Sequence, residues 1–412
     1  MQAILFLIYL VLFSWLLARM RFVTQSGLSK QAVVALYTLK VIAGVVAAWM
    51  LRNDANADTW LYHRDALVEC RLLLSNPAAY LSNIFYTGYQ HGYDGVWQLQ
   101  NSYWNDLKTN LIIKIVSVFN LLSGGQYYVN VVLYNAITFL GHIAIFRFFK
   151  KVYNAANRVL IISCFLWPSL LLFTSIIHKD GLIFTALALV CYLFVVLLHR
   201  GRLALRQWLF FAMSLLLIFL FRSYILLVFV PALLCWYIAK RFNWRPWWVF
   251  TLVFAAGIVV FFASSHPASP VQLPQLVIQK QADFLSLQKA RSFIGVPTLA
   301  PDLVSFIKAA PRAMAHVWLR PHALDYQLSP LLGLFFWEQF VLLGLLAYWL
   351  LAGKRQQLQQ QGAILFSLVF VFFILLIIGY TVPILWAIIR YRAIYLPFIL
   401  LPVLVQVTPK KQ

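Results

Sequence analysis

Two short stretches of this chain combine carboxylates with basic or aromatic side chains at spacings suited to acid–base chemistry. In the first, DTWLYHRDA, the residues Asp58, Tyr62 and Asp65 are spaced so that a helix over 59–75 would place them on one side. A carboxylate fixed in this way can act as a general base toward a sugar hydroxyl. Alternatively, Asp58 only caps the start of that helix. Two neighbours are predicted to bind substrate with Tyr62: Asp54 and His63.

The second stretch, HKDG, lies in a tight turn between two apolar runs. Lys179 could hold a phosphate, and Asp180 could hold an acceptor hydroxyl or a divalent ion, because charged groups at such depth pair or serve a site. The alternative is an ordinary Lys–Asp pair that marks a turn. Asp58 and Asp180 are therefore the predicted catalytic residues. The sequence has no Cys/His cluster with metal-ligand spacing, so no metal ligand is predicted.

Isolated charges inside other apolar runs form a third set of candidates for substrate binding. Arg222 interrupts LFLFRSYILLVF, and an arginine there should reach the interface or bind an anion. Arg390 and Arg392 enclose Tyr391 just before the last predicted helix, where guanidinium groups could grip a phosphate or lipid headgroups in general. Glu338 is a lone carboxylate in LFFWEQFVLL, with either a site role or a buried structural role.

The composition requires a membrane to hold these residues. Of 412 residues, 63% are hydrophobic and 11% are charged, and the mean hydropathy is +0.82. A soluble domain could not cover so much apolar surface. The apolar runs predict an all-α, polytopic transmembrane bundle of about 11 spans. These spans are at about 3–18, 32–51, 127–147, 159–176, 181–199, 207–221, 223–240, 247–264, 331–351, 362–379 and 393–408.

The charges between the runs predict how the chain is oriented. The formal net charge is +22, and Lys and Arg lie mostly in short loops, which indicates a positive-inside topology rather than nucleic-acid binding. All acidic residues then fall toward the outer side. Two large outer loops, about 52–126 and 265–330, are predicted within one transmembrane domain over 1–412. The segment 110–123 is predicted to lie flat in the interface rather than to span.

The order of these landmarks resembles the GT-C superfamily of membrane glycosyltransferases. The resemblance is carried by Asp58, Tyr62 and Ala66, then by Pro168 and Asp180, and finally by three residues near the end of the chain: Arg390, Tyr391 and Pro397. LWPSLLLFTSIIHKDG together with IIRYRAIYLP is also similar to bacterial membrane proteins linked to surface polysaccharide. The chain departs from the pattern by an additional early helix and by spaced acids in place of a paired acid.

The resemblance implies an enzyme that transfers a sugar with inversion. The expected partners are a polyprenyl-(pyro)phosphate-linked sugar donor, a glycan or lipid acceptor, and membrane lipids. Asp58 would deprotonate or orient the acceptor, and Arg390 and Arg392 would stabilise the leaving phosphate. The implied location is the bacterial inner membrane, with the active face periplasmic. An O-antigen-type polymerase or ligase is the alternative, followed by a non-enzymatic lipid-glycan transporter or flippase.

Overall fold

The computed structural model describes residues 2–55, 57–83, 102–153, 155–267, 269, 271–286, 292–328, 330–352 and 361–407. Within these ranges the chain forms helices and no β-strand, together with an isolated bridge between Phe293 and Ile384. The predicted all-α class is confirmed. Residues 84–101 of the first predicted outer loop lie outside the described residues.

The helices of the described ranges follow in chain order. They are α1 (Gln2–Arg19), α2 (Arg21–Thr24), α3 (Lys30–Met50), α4 (Asp58–Ser75), α5 (Pro77–Ser82), α6 (Tyr103–Ser123), α7 (Tyr127–Tyr153), α8 (Asn157–Ile161), α9 (Pro168–Ser175), α10 (Lys179–Arg200), α11 (Leu205–Arg241), α12 (Pro246–Ala263), α13 (Leu273–Ser286), α14 (Leu303–Trp318), α15 (Pro330–Ala352), α16 (Gln361–Thr381), α17 (Leu385–Ala393) and α18 (Leu396–Val407). A π-helical turn over Ile162–Leu166 continues α8, and a 3-10 turn over Ala323–Leu328 precedes α15.

Among the described residues, eight helices are long and apolar enough to cross a membrane: α1, α3, α7, α10, α11, α12, α15 and α16. Two bent pairs, α8 with α9 and α17 with α18, raise the number to ten if each pair is one span. The chain is therefore a helical membrane protein. The finer count of eleven stays a prediction. The runs predicted at 207–221 and 223–240 are the two parts of α11, on either side of a break at Arg222.

Three helical stretches are bent or broken in the structure. The run predicted at 159–176 bends by 53° between Leu166 and Pro168, where proline cannot continue the hydrogen-bond ladder of the preceding turn. The last helix, predicted at 393–408, appears as α18, and α17 precedes it at an angle of 59°. Within α11, Arg222 has non-helical dihedral angles of φ −149° and ψ 75°. That break falls at the boundary predicted between two helices.

The chain divides into two compact units. Unit 1 contains residues 1–148, 171–194 and 203–221. In it α3 packs on α1, and α4 packs along α6. The helix α6 includes the doubtful segment 110–123, starts earlier than predicted, and is not among the eight candidate spans. Its Ile112, Val116 and Phe119 are buried, so one apolar face of the helix packs inside the protein.

Unit 2 contains residues 149–170, 195–202 and 222–412. Its α14 packs on α16, with Phe306 and Ala313 buried against Tyr380. Gly379 permits this approach, because an added Cβ there would overlap the backbone of Ala313. The second predicted outer loop, 265–330, contains α13 and α14. Further contacts join α15 and α16 to α18.

Candidate functional site

Asp58 is the first residue of α4, in unit 1, and its carboxylate does not cap the helix. The N-cap position belongs to Ala57, which makes no side-chain capping bond. The carboxylate instead lies 3.0 Å from Nε2 of His178, and 43% of the Asp58 side chain remains exposed. The capping alternative for Asp58 is thus wrong. The carboxylate is held by an imidazole and remains accessible to a hydroxyl group.

His178 connects Asp58 to a second carboxylate. It lies in the turn between α9 and α10, and its Nδ1 is 2.9 Å from Oδ2 of Asp180, which is fully buried. The backbone amide of Asp180 also approaches Nδ1, at 3.3 Å, and donates to it when that nitrogen carries no proton. We call Asp58, His178 and Asp180 the acid–imidazole cluster. The cluster extends from the half-exposed side chain of Asp58 to the buried Asp180 in the interior of unit 1.

This arrangement suits proton transfer at Asp58. The buried Asp180 fixes the imidazole from one side, so that Nε2 faces Asp58 in one orientation. Nε2 lies within hydrogen-bond distance of Asp58, and the Asp180 carboxylate lies 2.9 Å from Nδ1, so the ring is placed between two carboxylates. The three side chains carry the acid and base groups of a general-base site. Among the described residues, no group of three or more His, Cys, Asp or Glu residues has metal-ligand geometry.

The predicted neighbours of Asp58 occupy different environments. The Tyr62 ring lies 6.0 Å from the His178 ring. Lys179 donates to the Thr109 hydroxyl at 3.0 Å, and its amine is 5.4 Å from the centre of the Tyr62 ring. A cation therefore lies beside the cluster. Asp54 is exposed in the turn that follows α3.

His63 is buried among aromatic side chains. Its ring meets the Tyr127 ring edge-on at 5.2 Å, in a group that also includes Trp60. Burial lowers the pKa of His63 to about 4, so the imidazole is neutral at physiological pH. His63 is thus a packed aromatic side chain in unit 1. Its predicted role in binding substrate stays a prediction.

The sequence patterns do not single out two residues of this region. His178, within HKDG, has no predicted role, although it is the centre of the cluster. Lys40 lies inside the apolar run of α3, and it is 1% exposed and bonded to the end of α9. A lone lysine in the middle of a candidate span is a signal that could have revealed it.

Arg392 lies in the last turn of α17, in unit 2, directly in front of the last helix as predicted, and its side chain is completely buried. Its role in binding a lipid phosphate stays a prediction. Its Nη1 donates to the carbonyl oxygens of Val317 and Arg320, at 2.5 and 2.9 Å. Those carbonyls lie at the end of α14, where backbone acceptors lack helical partners. The guanidinium therefore caps a helix.

Glu338, in α15, has the matching role at the start of a helix. Its two carboxylate oxygens accept hydrogen bonds from the amide and the hydroxyl of Ser169, at 2.5 and 2.6 Å. Ser169 is the second residue of α9, and an anion is favourable at a helix N-terminus. Glu338 also attracts Arg392 electrostatically. This buried, bonded state favours the structural alternative that we set beside a site role.

Arg222 and Arg390 meet at one aromatic ring in unit 2. The Arg222 guanidinium lies 3.8 Å from the centre of the Tyr391 ring, and that of Arg390 lies 5.3 Å from it. Such cation–π contacts hold a guanidinium beside an aromatic face. Arg222 is buried, while Arg390 and Tyr391 are half-buried. The structure thus brings these three predicted binding residues together.

Comparison with known proteins adds no relative. No family model, no curated protein and no solved structure matches this chain. The resemblance to the GT-C superfamily accordingly stays a prediction. The functional argument rests on the geometry of the acid–imidazole cluster and on the membrane helices that hold it.

Proposed function

We propose that this protein is an integral-membrane glycosyltransferase. It would move a sugar from a polyprenyl-(pyro)phosphate donor to a hydroxyl group of a glycan or lipid acceptor. The observation that carries the proposal is the half-exposed Asp58 carboxylate, held by His178 in front of the buried Asp180. This carboxylate follows closely on α3, and Asp180 is the second residue of α10; both helices are candidate spans. A base at the end of membrane helices suits a substrate whose lipid tail stays in the bilayer.

In the proposed step, one proton is transferred, one carbon–oxygen bond forms and another breaks. The acceptor hydroxyl gives its proton to Asp58 while its oxygen attacks the anomeric carbon of the donor sugar. The bond from that carbon to the phosphate oxygen breaks, and the phosphate leaves with the electron pair. His178 and Asp180 keep Asp58 oriented. Lys179, beside the cluster, stabilises the negative charge that develops on the leaving phosphate.

Within unit 2, Arg222, Arg390 and Tyr391 are proposed to bind a lipid phosphate. Guanidinium groups remain charged and match phosphate geometry. Arg392 is given no part in this binding, because its hydrogen bonds go to the carbonyls of Val317 and Arg320. An O-antigen-type polymerase or ligase would rely on arginines in place of an acid. The acid–imidazole cluster favours the transferase over that alternative.

We propose the bacterial inner membrane as the location, with Asp58 at the periplasmic face. The support is the charge distribution along the sequence, in which the loops predicted to be inside hold Lys and Arg, and the acids fall on the other side. Reporter fusions after residue 55 and after residue 203 test this orientation. The first should report a periplasmic position, and the second a cytoplasmic one.

Glycan profiling of a deletion strain tests the reaction. The strain is complemented with the wild-type gene, with Asp58→Asn, or with Asp65→Asn, which changes an exposed acid on the same helix. We expect Asp58→Asn to abolish a surface glycan that wild type and Asp65→Asn restore. Membrane abundance and thermal unfolding in detergent confirm that both variants fold. An unchanged profile with well-folded Asp58→Asn protein would contradict the proposal.

A further inference from the structure

Lys40 is an amine buried within a candidate membrane span. It lies ten residues before the end of α3 at Met50 and is 1% exposed. At about 1.5 Å per residue, it is roughly 15 Å from the helix end, near the middle of a hydrocarbon layer of about 30 Å. Ionisable groups at that depth are costly and are kept for a specific purpose.

All the hydrogen bonds found for Lys40 converge on the end of α9. Its amine donates to the carbonyl oxygen of Thr174 at 2.6 Å, to the Thr174 hydroxyl at 3.1 Å and to the Ser175 hydroxyl at 3.1 Å. These are the last two residues of α9, where backbone carbonyls lack helical partners. A hydrogen-bond donor is favourable at this end of a helix. Lys40 therefore fixes the point at which α9 stops.

Two side chains of α7 fix the residues that follow. Asn135 donates its amide to the carbonyl of Ser175 at 2.8 Å, and the Tyr134 hydroxyl donates to the carbonyl of His178 at 2.5 Å. On α3, Gly44 lets the backbones touch, because an added Cβ would lie 2.5 Å from the Ser175 carbonyl oxygen. The turn that carries His178 is thus held from both α3 and α7.

We infer that Lys40 is a positioning residue for the acid–imidazole cluster. Only two residues separate Ser175 from His178, so a displacement at the end of α9 reaches the imidazole directly. His178 must stay within 3.0 Å of Asp58 and 2.9 Å of Asp180 for the cluster to form. The geometric claim concerns this turn alone. Its consequence for catalysis rests on the proposed transferase function.

The groups that face His178 define what a measurement on its ring will report. They are Asp58 and Tyr62 from α4, Tyr134 from α7, and Asp180 from α10. Lys40 shares the Thr174 hydroxyl with His142, whose Nε2 lies 2.9 Å from it. Replacement of Lys40 removes none of these groups. A change in the ring nitrogen signals of His178 would then follow from a change in its position.

Nuclear magnetic resonance of ¹⁵N-histidine-labelled protein in lipid nanodiscs tests the inference. The His178 signals are assigned by their loss in His178→Gln. In Lys40→Met, we expect the ring nitrogen signals of His178 to shift, because its distances to the carboxylates change. Lys30→Met, at an exposed position at the start of the same helix, should leave these signals unchanged. Lys40→Arg keeps a hydrogen-bond donor and should return the signals most of the way to their wild-type positions.

Unchanged His178 signals in folded Lys40→Met protein would overturn the inference. If Lys40→Met does not accumulate, Asn135→Leu removes the second donor to the same turn and should shift the signals in the same experiment. Unchanged signals in that variant would overturn the inference as well.

The measurement requires no sugar transfer, so the two proposals can fail separately. Shifted His178 signals with an unchanged glycan profile in Asp58→Asn cells would reject the transferase and keep the role of Lys40.

Discussion

The two units both bury charged side chains, but they use the charges differently. In unit 1 the chain of contacts from Asp180 through His178 ends at Asp58, whose side chain is 43% exposed. In unit 2, Arg392 and Glu338 are bonded to backbone groups at the end of α14 and the start of α9. The first group leads to a surface where a substrate can arrive. The second completes the hydrogen bonding of helix ends.

The difference shows that a charge in an apolar run does not by itself mark an active site. A bent or short helix inside a membrane protein leaves backbone groups that water cannot reach, and each must find a partner. Arg392, Glu338 and Lys40 are such partners. The candidates for chemistry are the buried groups whose contacts continue to an accessible atom. Asp58 meets that condition within unit 1.

The largest effect on stability is expected in unit 2. Arg392→Met removes both hydrogen bonds to the carbonyls at the end of α14 and leaves these two acceptors without this donor. We expect a loss of about 3–5 kcal/mol in the free energy of unfolding. Denaturation in detergent measures it. In a double-mutant cycle with Glu338→Gln, the combined loss should be smaller than the sum, and strict additivity would show that the two charges are independent.

Asp180→Asn tests whether the buried acid of unit 1 contributes to activity. The amide cannot hold the imidazole as the carboxylate does, so product formation should fall by about 10²-fold while Asp58 remains present. Glycan yield per amount of membrane-inserted protein is the measure. His178→Gln should give a loss of the same order, since both residues act through Asp58. Full activity in both variants would show that the His178 imidazole has no part in the proposed mechanism.

The pH dependence of stability provides a third, smaller test. Burial lowers the pKa of His63 to about 4, below its ordinary value of 6.5, so the folded state binds the proton less well than the unfolded state. This contribution is present above pH 6.5 and is lost as the pH falls toward 4. His63→Phe should flatten the decline in unfolding free energy by about 1 kcal/mol near pH 5. Parallel wild-type and variant curves would contradict it.

Arg390→Gln should have the smallest effect on stability. The side chain is half-buried beside Tyr391, and its loss should change the free energy of unfolding by no more than about 0.5 kcal/mol. Product formation should fall less than in Asp58→Asn. The reverse order, with Arg390 essential and Asp58 dispensable, would favour the polymerase or ligase alternative. Glycan profiles of both variants at matched membrane abundance decide the matter.

Much of the helical pattern could be predicted because apolar length is a local property. The runs at about 3–18, 32–51 and 247–264 appear as α1, α3 and α12 with ends within two residues. The break at Arg222 was also predictable from one charge in an apolar run. The bends within 159–176 and near the last helix were missed. Hydropathy alone does not distinguish a straight helix from a bent pair.

Within the site, local spacing predicted only which side chains share one side of α4. Asp58 and Tyr62 are four residues apart, and both lie beside His178. The contact between Asp58 and His178 joins residues 120 apart in the chain, and no periodicity encodes such a distance. The hydrogen bonds of Arg392 could not be predicted either, because they depend on where α14 ends.

Composition and hydropathy alone establish that this chain is a helical membrane protein and where its few acidic residues lie along it. Hydrophobicity is a property of each residue, so membrane helices can be predicted before the fold is known. The packing of the helices decides which charges complete helix ends and which lead to solvent. That distinction depends on packing between segments distant in sequence, since a buried charge is stable only where the fold brings a partner to it.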